Sequence, residues 1–355
     1  MKVKTQVYRI DSGKPSEKAV NAASEAIIDG KLVVFPTETV YGIGANAFSD
    51  AACREIYIVK GRAPDNPLIV HVYGIEEALR LGRFRNRDIC ALEKVWPGPL
   101  TVIVNGRGVL PDSVTAGLDS VAIRCPDSSF IRKVMKKTAL PIAAPSANIS
   151  TKPSSTKGEH AIGYFKGKVP VIIDGGESDY GIESTVLDLR SFRVLRPGAF
   201  TVEQIEHAFG RKPILGRLAE GSRSAATMIS PGTKYRHYSP EKPLFVYEGG
   251  IGSINGILGK FAGRAAFIGS DESCRLLRGS QVKTISLGPS RSIRKRVHRM
   301  FGSLIELDSM DVSFGVIESF PKDGIGYAAM NRLKKASDHR SFKDSEGLQK
   351  LVRNI

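Results

Sequence analysis

The chain has 355 residues, 41% of them hydrophobic, and its 52 Lys and Arg against 36 Asp and Glu give a formal net charge of +16. A chain of this length exceeds what one hydrophobic core usually supports, so we expect two domains. No apolar run approaches the roughly 20 residues that cross a bilayer, and the N-terminus lacks a secretory signal, which predicts a cytoplasmic protein with no membrane contact. The positive charge suits a polyanionic partner, either a nucleotide or RNA.

Cysteine and histidine spacings argue against a metal caged by the protein. The four cysteines stand singly, without a Cys-x-x-Cys pair, and the six histidines show no His-x-His or His-Glu-x-x-His spacing. Neither a zinc site nor a disulfide framework is expected. Any metal is therefore expected to arrive with a phosphate ligand.

Helix and strand patterns alternate through residues 1–210. Val20, Ala23 and Ile27 recur at helical spacing between Ser16, a candidate N-cap, and Gly30, a candidate stop. The alternation predicts one α/β domain around a twisted sheet. After the first helix, we predict helices at 50–60, 87–96, 129–138 and 202–209, and strands at 31–35, 68–72, 100–105, 120–125, 141–145, 169–174, 184–189 and 192–195.

The regular pattern fades between residues 211 and 240, a stretch rich in Gly, Ser, Pro and Arg that reads as a linker covering the active site. Beyond it the alternation resumes. Residues 241–355 are expected to form a smaller, Rossmann-like three-layer α/β domain. Its strands are predicted at 244–248, 265–269, 283–287 and 313–318, and its helices at 253–261, 272–277, 292–309 and 327–337.

Residues 35–72 combine glycines and cations between two apolar strands. Gly42 and Gly44 are predicted to form a turn, and Lys60 and Arg62 flank a single glycine. Two cations this close need partners if they are buried, so we expect exposed cations in a polar cleft that handles phosphate. The letters at 42–47 fit G-x-G-x-x-A, but the strand ends six residues earlier, which disfavours a dinucleotide fingerprint. No Walker loop or G-x-S-x-G elbow occurs, so side-chain cations and hydroxyls must bind the phosphates.

Hydroxyl-rich turns and two further arginines accompany these cations. Arg124 and Arg196 stand at strand ends, and Ser, Thr and Asn cluster at 145–150, 152–155 and 181–185. One such turn can simply cap a helix, but three in one domain favour a polar pocket. His71 can equally be a satisfied core histidine, and Thr39 can be strand-end packing.

Nine segments together resemble the YrdC-like superfamily, and specifically the two-domain L-threonylcarbamoyladenylate synthases. Each piece is short, but their ordered set is specific and spans nearly the whole chain. The segments are residues 35–47, 60–68, 97–101, 121–126, 144–155, 184–189, 194–200, 230–240 and 324–337.

The resemblance implies ATP-dependent condensation of L-threonine with bicarbonate, giving threonylcarbamoyl-AMP and pyrophosphate, with magnesium accompanying ATP. The product would pass to a tRNA threonylcarbamoyltransferase, and direct contact with tRNA stays open. Lys60 and Arg62 would be catalytic, Lys60 by neutralising phosphate charge, and Arg124 would hold the threonine carboxylate. The residues implied around threonine are Thr39, His71, Arg124, Ser184 and the backbone at Ala144; those implied around ATP are Arg62, Asn66, Ser120, Ser146, Ser154, Arg196 and, from the linker, Tyr235.

Two other functions compete with this one. A non-catalytic RNA-binding module would also explain the charge. Carbamoyl transfer by the related domain of hydrogenase-maturation proteins is the second rival, but those proteins carry zinc-finger-like parts and this chain has no cysteine pair.

Overall fold

The structure is a computed structural model that describes residues 3–11, 13–215 and 238–353. The described residues form two compact units. The first contains residues 3–150 and 154–215, and the second contains residues 151–153 and 238–353. Most of the predicted linker, residues 216–237, lies outside the described residues.

The first unit alternates helices and short strands, as the sequence predicts. Its strands are β1 (Gln6–Arg9), β2 (Val33–Phe35), β3 (Gly42–Asn46), β4 (Ile69–His71), β5 (Gly82–Arg83), β6 (Leu100–Gly106), β7 (Ser120–Arg124), β8 (Ile142–Ala143), β9 (Val171–Asp174), β10 (Thr185–Asp188), β11 (Arg193–Arg196) and β12 (Ile214–Leu215). Its helices are α1 (Glu17–Ile28), α2 (Asp50–Lys60), α3 (Ile75–Leu81), α4 (Asn86–Leu92), α5 (Asp112–Thr115), α6 (Ser129–Thr138), α7 (Gly158–Phe165) and α8 (Val202–Phe209).

These strands join in one mixed sheet, in the order β1-β9-β2-β3-β8-β4-β7-β6-β10-β11-β12, with β5 paired to β6. Strands β4 and β7 are parallel and align His71 with Arg124, whereas β6 and β7 are antiparallel and align Thr101 with Arg124. The parallel pair β6 and β10 aligns Leu100 with Thr185. The register therefore brings His71, Arg124, Thr101 and the start of β10 to one edge of the sheet.

Helix ends place the cations of the predicted phosphate region. Ser16 caps α1 by accepting a hydrogen bond from the Ala19 N–H, as its position predicts. Helix α2 ends at Gly61, whose φ of 61° is the left-handed conformation that glycine adopts without strain. Lys60 is consequently the last residue of α2, and Arg62 begins the loop that leads to β4.

The prediction of a turn at Gly42 and Gly44 is wrong, because both residues lie in β3. This strand is buried and pairs antiparallel with β2 and β8. A Cβ atom on Gly44 would lie 2.7 Å from Ile142 Cγ2 and 2.9 Å from Phe35 Cε1. The glycine is therefore required by close packing inside the sheet, where its missing side chain makes room for its neighbours.

The second unit is a parallel five-stranded sheet flanked by helices. Its strand order is β15-β14-β16-β13-β17, which fits the predicted Rossmann-like α/β architecture. Its strands are β13 (Leu244–Tyr247), β14 (Ala265–Gly269), β15 (Lys283–Ser286), β16 (Phe314–Glu318) and β17 (Ser341–Phe342). Its helices are α9 (Ile254–Leu258), α10 (Asp271–Arg275), α11 (Ile293–Ser309), α12 (Gly324–Ala336) and α13 (Ser345–Val352). Among the helices that the structure describes, none is long and apolar enough to span a bilayer.

Gly198 lies against the backbone at the start of β10, so a substitution at Gly198 tests the packing at this edge of the sheet. A Cβ atom on Gly198 would lie 2.4 Å from the Glu183 carbonyl oxygen and 2.5 Å from Thr185 N, and backbone cannot move aside cheaply. We expect Gly198→Ala to lower the free energy of unfolding by at least about 2 kcal/mol. Urea unfolding followed by fluorescence of Trp96, the single tryptophan and a residue of the first unit, measures this loss.

Gly163→Ala is the matched control for this substitution. Gly163 lies within α7, and no atom of the described residues stands within 4 Å of the added Cβ, so alanine there should raise stability by about 0.5–1 kcal/mol. Equal urea midpoints for the two variants would show that the contact at Gly198 does not constrain the fold.

Candidate active site

Arg124 occupies the centre of the candidate site, at the end of β7, with only 4% of its surface exposed. Its Nη1 donates to Thr39 Oγ1 at 2.9 Å, its Nε donates to the Gly98 carbonyl at 3.3 Å, and its Nη2 lies 2.6 Å from Glu38 Oε1. A buried guanidinium requires this compensation, because an unpaired buried charge is strongly destabilising.

The loop after β2 is fixed by its own hydroxyl groups. The Thr37 hydroxyl donates to the Val40 carbonyl at 2.6 Å, so the 2.9 Å contact between the Thr37 and Thr39 hydroxyls is donated by Thr39. Thr39 Oγ1 is then free to accept from Arg124. Glu38 Oε1 also accepts from the Asp127 N–H at 3.0 Å, which ties the loop to the chain after β7.

Glu38 belongs to this candidate site by its contact with Arg124, although it is not among the residues predicted from the sequence. Its side chain is 3% exposed and forms an ion pair with Arg124. The sequence does carry a signal for it, because Glu38 is flanked by threonines between two apolar strand segments. A carboxylate buried in such a place needs a cationic partner. Sequence alone does not identify that partner, since Arg124 lies 86 residues further along the chain.

His71 ends β4 directly opposite Arg124. Burial, with a smaller contribution from the Arg124 charge, lowers the pKa of His71 from 6.5 to about 3, so the imidazole is neutral near pH 7. Its Nδ1 is buried and has no well-aligned hydrogen-bond partner among the described residues, although backbone groups of Ile142 and Ile69 interact with the ring and raise its pKa against the effect of burial. The ring packs edge-on against Phe35, with 6.4 Å between centroids. Next to it, the Ala144 N–H donates to the Ile69 carbonyl at 2.9 Å.

Ser184 and Arg196 lie together at the same edge. Ser184 Oγ is 2.8 Å from Thr101 Oγ1 and accepts from Arg196 Nη2 at 3.2 Å, while the Ser184 carbonyl accepts from the same nitrogen at 2.9 Å. One residue before it, Glu183 Oε1 accepts from Ser154 Oγ at 2.7 Å. The structure therefore links Ser154 and Arg196, which the resemblance assigns to the nucleotide, to the chain around Ser184.

Lys60 is buried, which corrects the expectation of an exposed cation in a cleft. It is 2% exposed, and its Nζ donates to the carbonyl oxygens of Ser146 and Asn148 at 2.5 Å each. Burial, followed by the charge of Arg62, holds the pKa of Lys60 well below its usual value. Lys60 thus fixes the turn that carries Ser146, and its truncation would disturb that turn as well as any bound phosphate.

Arg62 organises the loop between α2 and β4. Its Nε donates to the Asn66 carbonyl at 3.2 Å and its Nη2 to the Pro67 carbonyl at 3.0 Å. Ser120 begins β7, and the pairing of β7 with β4 runs from Ala122 opposite Ile69 to Arg124 opposite His71. Ser120 is four residues from Arg124 along β7, or roughly 13 Å. Arg62 and Asn66, on the loop before β4, and Ser120, at the start of β7, are a second set of predicted site residues, apart from those around Arg124 at the other end of β7.

A cavity of about 340 Å³ opens beside Glu38, but its chemistry does not suit a triphosphate. The described residues that line it include four acidic ones and no lysine or arginine. The negative charge of phosphate would be repelled there. The acidic residues are Glu38, Asp127, Glu177 and Asp179.

The described site is equipped to bind and orient small polar substrates. The hydroxyls of Thr39 and Ser184 bond to arginines and threonines, so neither has the histidine partner of an activated nucleophile. Within residues 3–11, 13–215 and 238–353, no group of three or more His, Cys, Asp or Glu residues could hold a metal ion. Tyr235, predicted to contact ATP, lies outside the described residues.

Fold and site together define a two-unit α/β protein with buried cations at the strand ends of its larger sheet. The sequence model of the Sua5_yciO_yrdC family, described as Telomere recombination, matches residues 25–198, and the model described as Threonylcarbamoyl-AMP synthase, C-terminal domain, matches residues 200–338. The chain belongs to the threonylcarbamoyl-AMP synthase family, which confirms the resemblance.

Individual relatives match over most of the chain. The threonylcarbamoyl-AMP synthase of Pyrococcus abyssi is 39% identical over 92% of this chain and 96% of that protein. The Bacillus subtilis synthase is 37% identical over 94% of this chain and 97% of its own length. The crystal structure of P. abyssi Sua5 complexed with L-threonine matches with a TM-score of 0.87 at 35% identity, covering 96% of this chain and all 100% of that one.

The neutral state of His71 predicts a loss of stability in acid. The unfolded chain binds a proton to this histidine below about pH 6.5, whereas the folded protein does so only near pH 3, so stability falls as the pH decreases through that window. Between pH 7 and pH 5 the loss from this group should reach about 2 kcal/mol. Urea unfolding of the wild type and of His71→Asn at both pH values, followed by Trp96 fluorescence, isolates the contribution of His71 to the free energy of unfolding. The same pH-dependent loss in both proteins would contradict the neutral, buried state of His71.

Proposed function

We propose that the protein condenses L-threonine with bicarbonate at the expense of ATP, releasing pyrophosphate and forming threonylcarbamoyl-AMP. It would thus be a cytoplasmic nucleotidyltransferase for the first step of threonylcarbamoyladenosine synthesis in tRNA. The observation that carries this proposal is the buried Arg124 with Glu38 and Thr39, in a chain whose P. abyssi relative has been crystallised with L-threonine.

We assign the residues around Arg124 to threonine. Arg124 offers a planar guanidinium to the carboxylate, a geometry that lysine cannot reproduce. His71, being neutral, offers Nδ1 to the threonine hydroxyl without adding a charge. Thr39, Ser184 and the backbone at Ala144 complete this group. Thr39 accepts a hydrogen bond from Arg124, Ser184 contacts Thr101, which pairs with Arg124, and Ala144 donates to Ile69, two residues before His71.

We assign the second set to ATP. It comprises Arg62, Asn66 and Ser120, and the turn held by Lys60 presents Ser146. The burial of Lys60 favours a positioning role through that turn over direct exposure to the phosphates. Magnesium would enter with the triphosphate, whose oxygens supply most of the ligands it prefers. Ser154, Arg196 and Tyr235 complete the proposed nucleotide set.

The chemistry proposed needs positioning more than a protein nucleophile. The threonine amine attacks bicarbonate with loss of water, or carbon dioxide with loss of a proton, to give a carbamate. A carbamate oxygen then attacks the α-phosphorus and displaces pyrophosphate. Holding three small reactants in line and stabilising the charge that develops provides the rate enhancement. The mixed anhydride produced would pass to a tRNA threonylcarbamoyltransferase.

Incubation with ATP, threonine and ¹³C-bicarbonate, followed by mass spectrometry, tests the proposal. We expect labelled threonylcarbamoyl-AMP, and pyrophosphate release that requires both threonine and bicarbonate. Salt-sensitive RNA binding without any labelled product would favour the rival RNA-binding function.

Arg62→Ala should lower product formation by roughly 100-fold, since it removes a charge-assisted donor from the proposed ATP group. The matched control is Arg54→Ala, an exposed arginine of α2 that pairs only with Asp50 among the contacts described and whose loss should leave the rate unchanged. Equal rates for Arg62→Ala and the wild type would remove Arg62 from the site.

A further inference from the structure

Three buried polar atoms around Arg124 lack a hydrogen bond to the described residues. They are Arg124 Nη2, Glu38 Oε2 and His71 Nδ1. Arg124 Nη2 lies 2.6 Å from Glu38 Oε1, close enough for an ion pair but without the alignment that a hydrogen bond requires. Each such atom costs about 1–3 kcal/mol when it stays unsatisfied, so three in one place call for an explanation.

The three atoms belong to residues that adjoin one another. Glu38 and Arg124 form an ion pair, and His71 lies opposite Arg124 in the paired strands β4 and β7. Together they present a cationic donor, an anionic acceptor and a neutral imidazole nitrogen. The complement of that set is a ligand that carries a carboxylate, an ammonium group and a hydroxyl, which are the three polar groups of threonine.

The two carboxylate oxygens of Glu38 differ in their contacts with the described residues. Oε1 accepts from the Asp127 N–H at 3.0 Å and faces Arg124, which fixes the direction of the carboxylate. Oε2 accepts no hydrogen bond from any described residue, even though the side chain is buried, with only 3% of its surface exposed. A protein that needed Glu38 only as a counter-ion for Arg124 would gain by satisfying the second oxygen as well.

We propose that Glu38 Oε2 accepts a hydrogen bond from the α-ammonium group of the amino-acid substrate, and that Glu38 thereby makes the site specific for amino acids over hydroxy acids. This role rests on the proposed function, because it names the residue that binds the ammonium group of threonine, beside Arg124 for the carboxylate and His71 for the hydroxyl. The competing account is that Glu38 merely orients Arg124 for the carboxylate.

The two accounts are separated by a ligand that lacks only the amine. Calorimetric titration with threonine and with 3-hydroxybutanoate, which is threonine with hydrogen in place of the amino group, is performed on the wild type and on Glu38→Gln. We expect the wild type to bind threonine at least 10-fold more tightly than 3-hydroxybutanoate. Glu38→Gln should lose that preference, because its affinity for threonine should fall about 10-fold while its affinity for 3-hydroxybutanoate should change less than about 3-fold. Glu177→Gln, which removes an exposed carboxylate nearby, is the control and should change neither affinity.

The outcomes are distinct. If Glu38→Gln lowers the affinity for both ligands by the same factor, Glu38 only orients Arg124. That result would overturn the inference while leaving the proposed function in place. Failure of the wild type to bind threonine would overturn both. If Glu38→Gln does not fold, a crystal structure of the wild type with threonine decides instead: the ammonium nitrogen within about 3.2 Å of Glu38 Oε2 supports the role, and a separation beyond about 4 Å excludes it.

Discussion

The buried ion pair between Arg124 and Glu38 is the interaction on which the rest of the first unit's site depends. Removing two charges from water is expensive, and mutual attraction repays that cost only when geometry and further hydrogen bonds are good. Here the pair draws partners from separate parts of the chain, namely Thr39 after β2, Gly98 before β6 and Asp127 after β7. Holding these segments together is what assembles the strand ends into a site.

Two buried cations in the same unit are stabilised differently, and the difference matches their proposed roles. Arg124 faces a carboxylate, and its Nη2 has no aligned hydrogen-bond partner among the described residues. Lys60 donates to two carbonyl oxygens and has its pKa depressed by burial, so it acts on the turn around Ser146. A guanidinium with spare donors suits a ligand, whereas an enclosed ammonium suits the support of a loop.

Local signals in the sequence predicted local features well. The N-cap at Ser16, the end of α2 at Gly61 and the alternation of helices and strands follow from short-range backbone preferences, and the structure confirms them. The segments that resemble the family were short but ordered, and the matches over most of the chain confirm that resemblance.

Features set by long-range packing were not predictable in the same way. The sequence 42–46 looked like a turn because of its glycines, yet the neighbours that require them, Phe35 and Ile142, are identified only by strand pairing. The missed elements are short and leave little periodicity; they are helices α3, α5, α7 and α13 and strands β1, β5, β12 and β17. The burial of Lys60 and the pairing of Glu38 with Arg124 likewise depend on contacts between segments 86 residues apart or more.

The central claim is that the Arg124 and Glu38 pair is retained for ligand binding and adds little net stability. The most direct measurement is a double-mutant cycle of Arg124→Met and Glu38→Gln, with urea unfolding followed by Trp96 fluorescence and threonine affinity measured on the same four proteins. We expect each single variant to lose about 3–5 kcal/mol, and the double variant to recover most of that loss while binding no threonine. A double variant as unstable as the sum of the two single losses, or one that still binds threonine, would contradict the account.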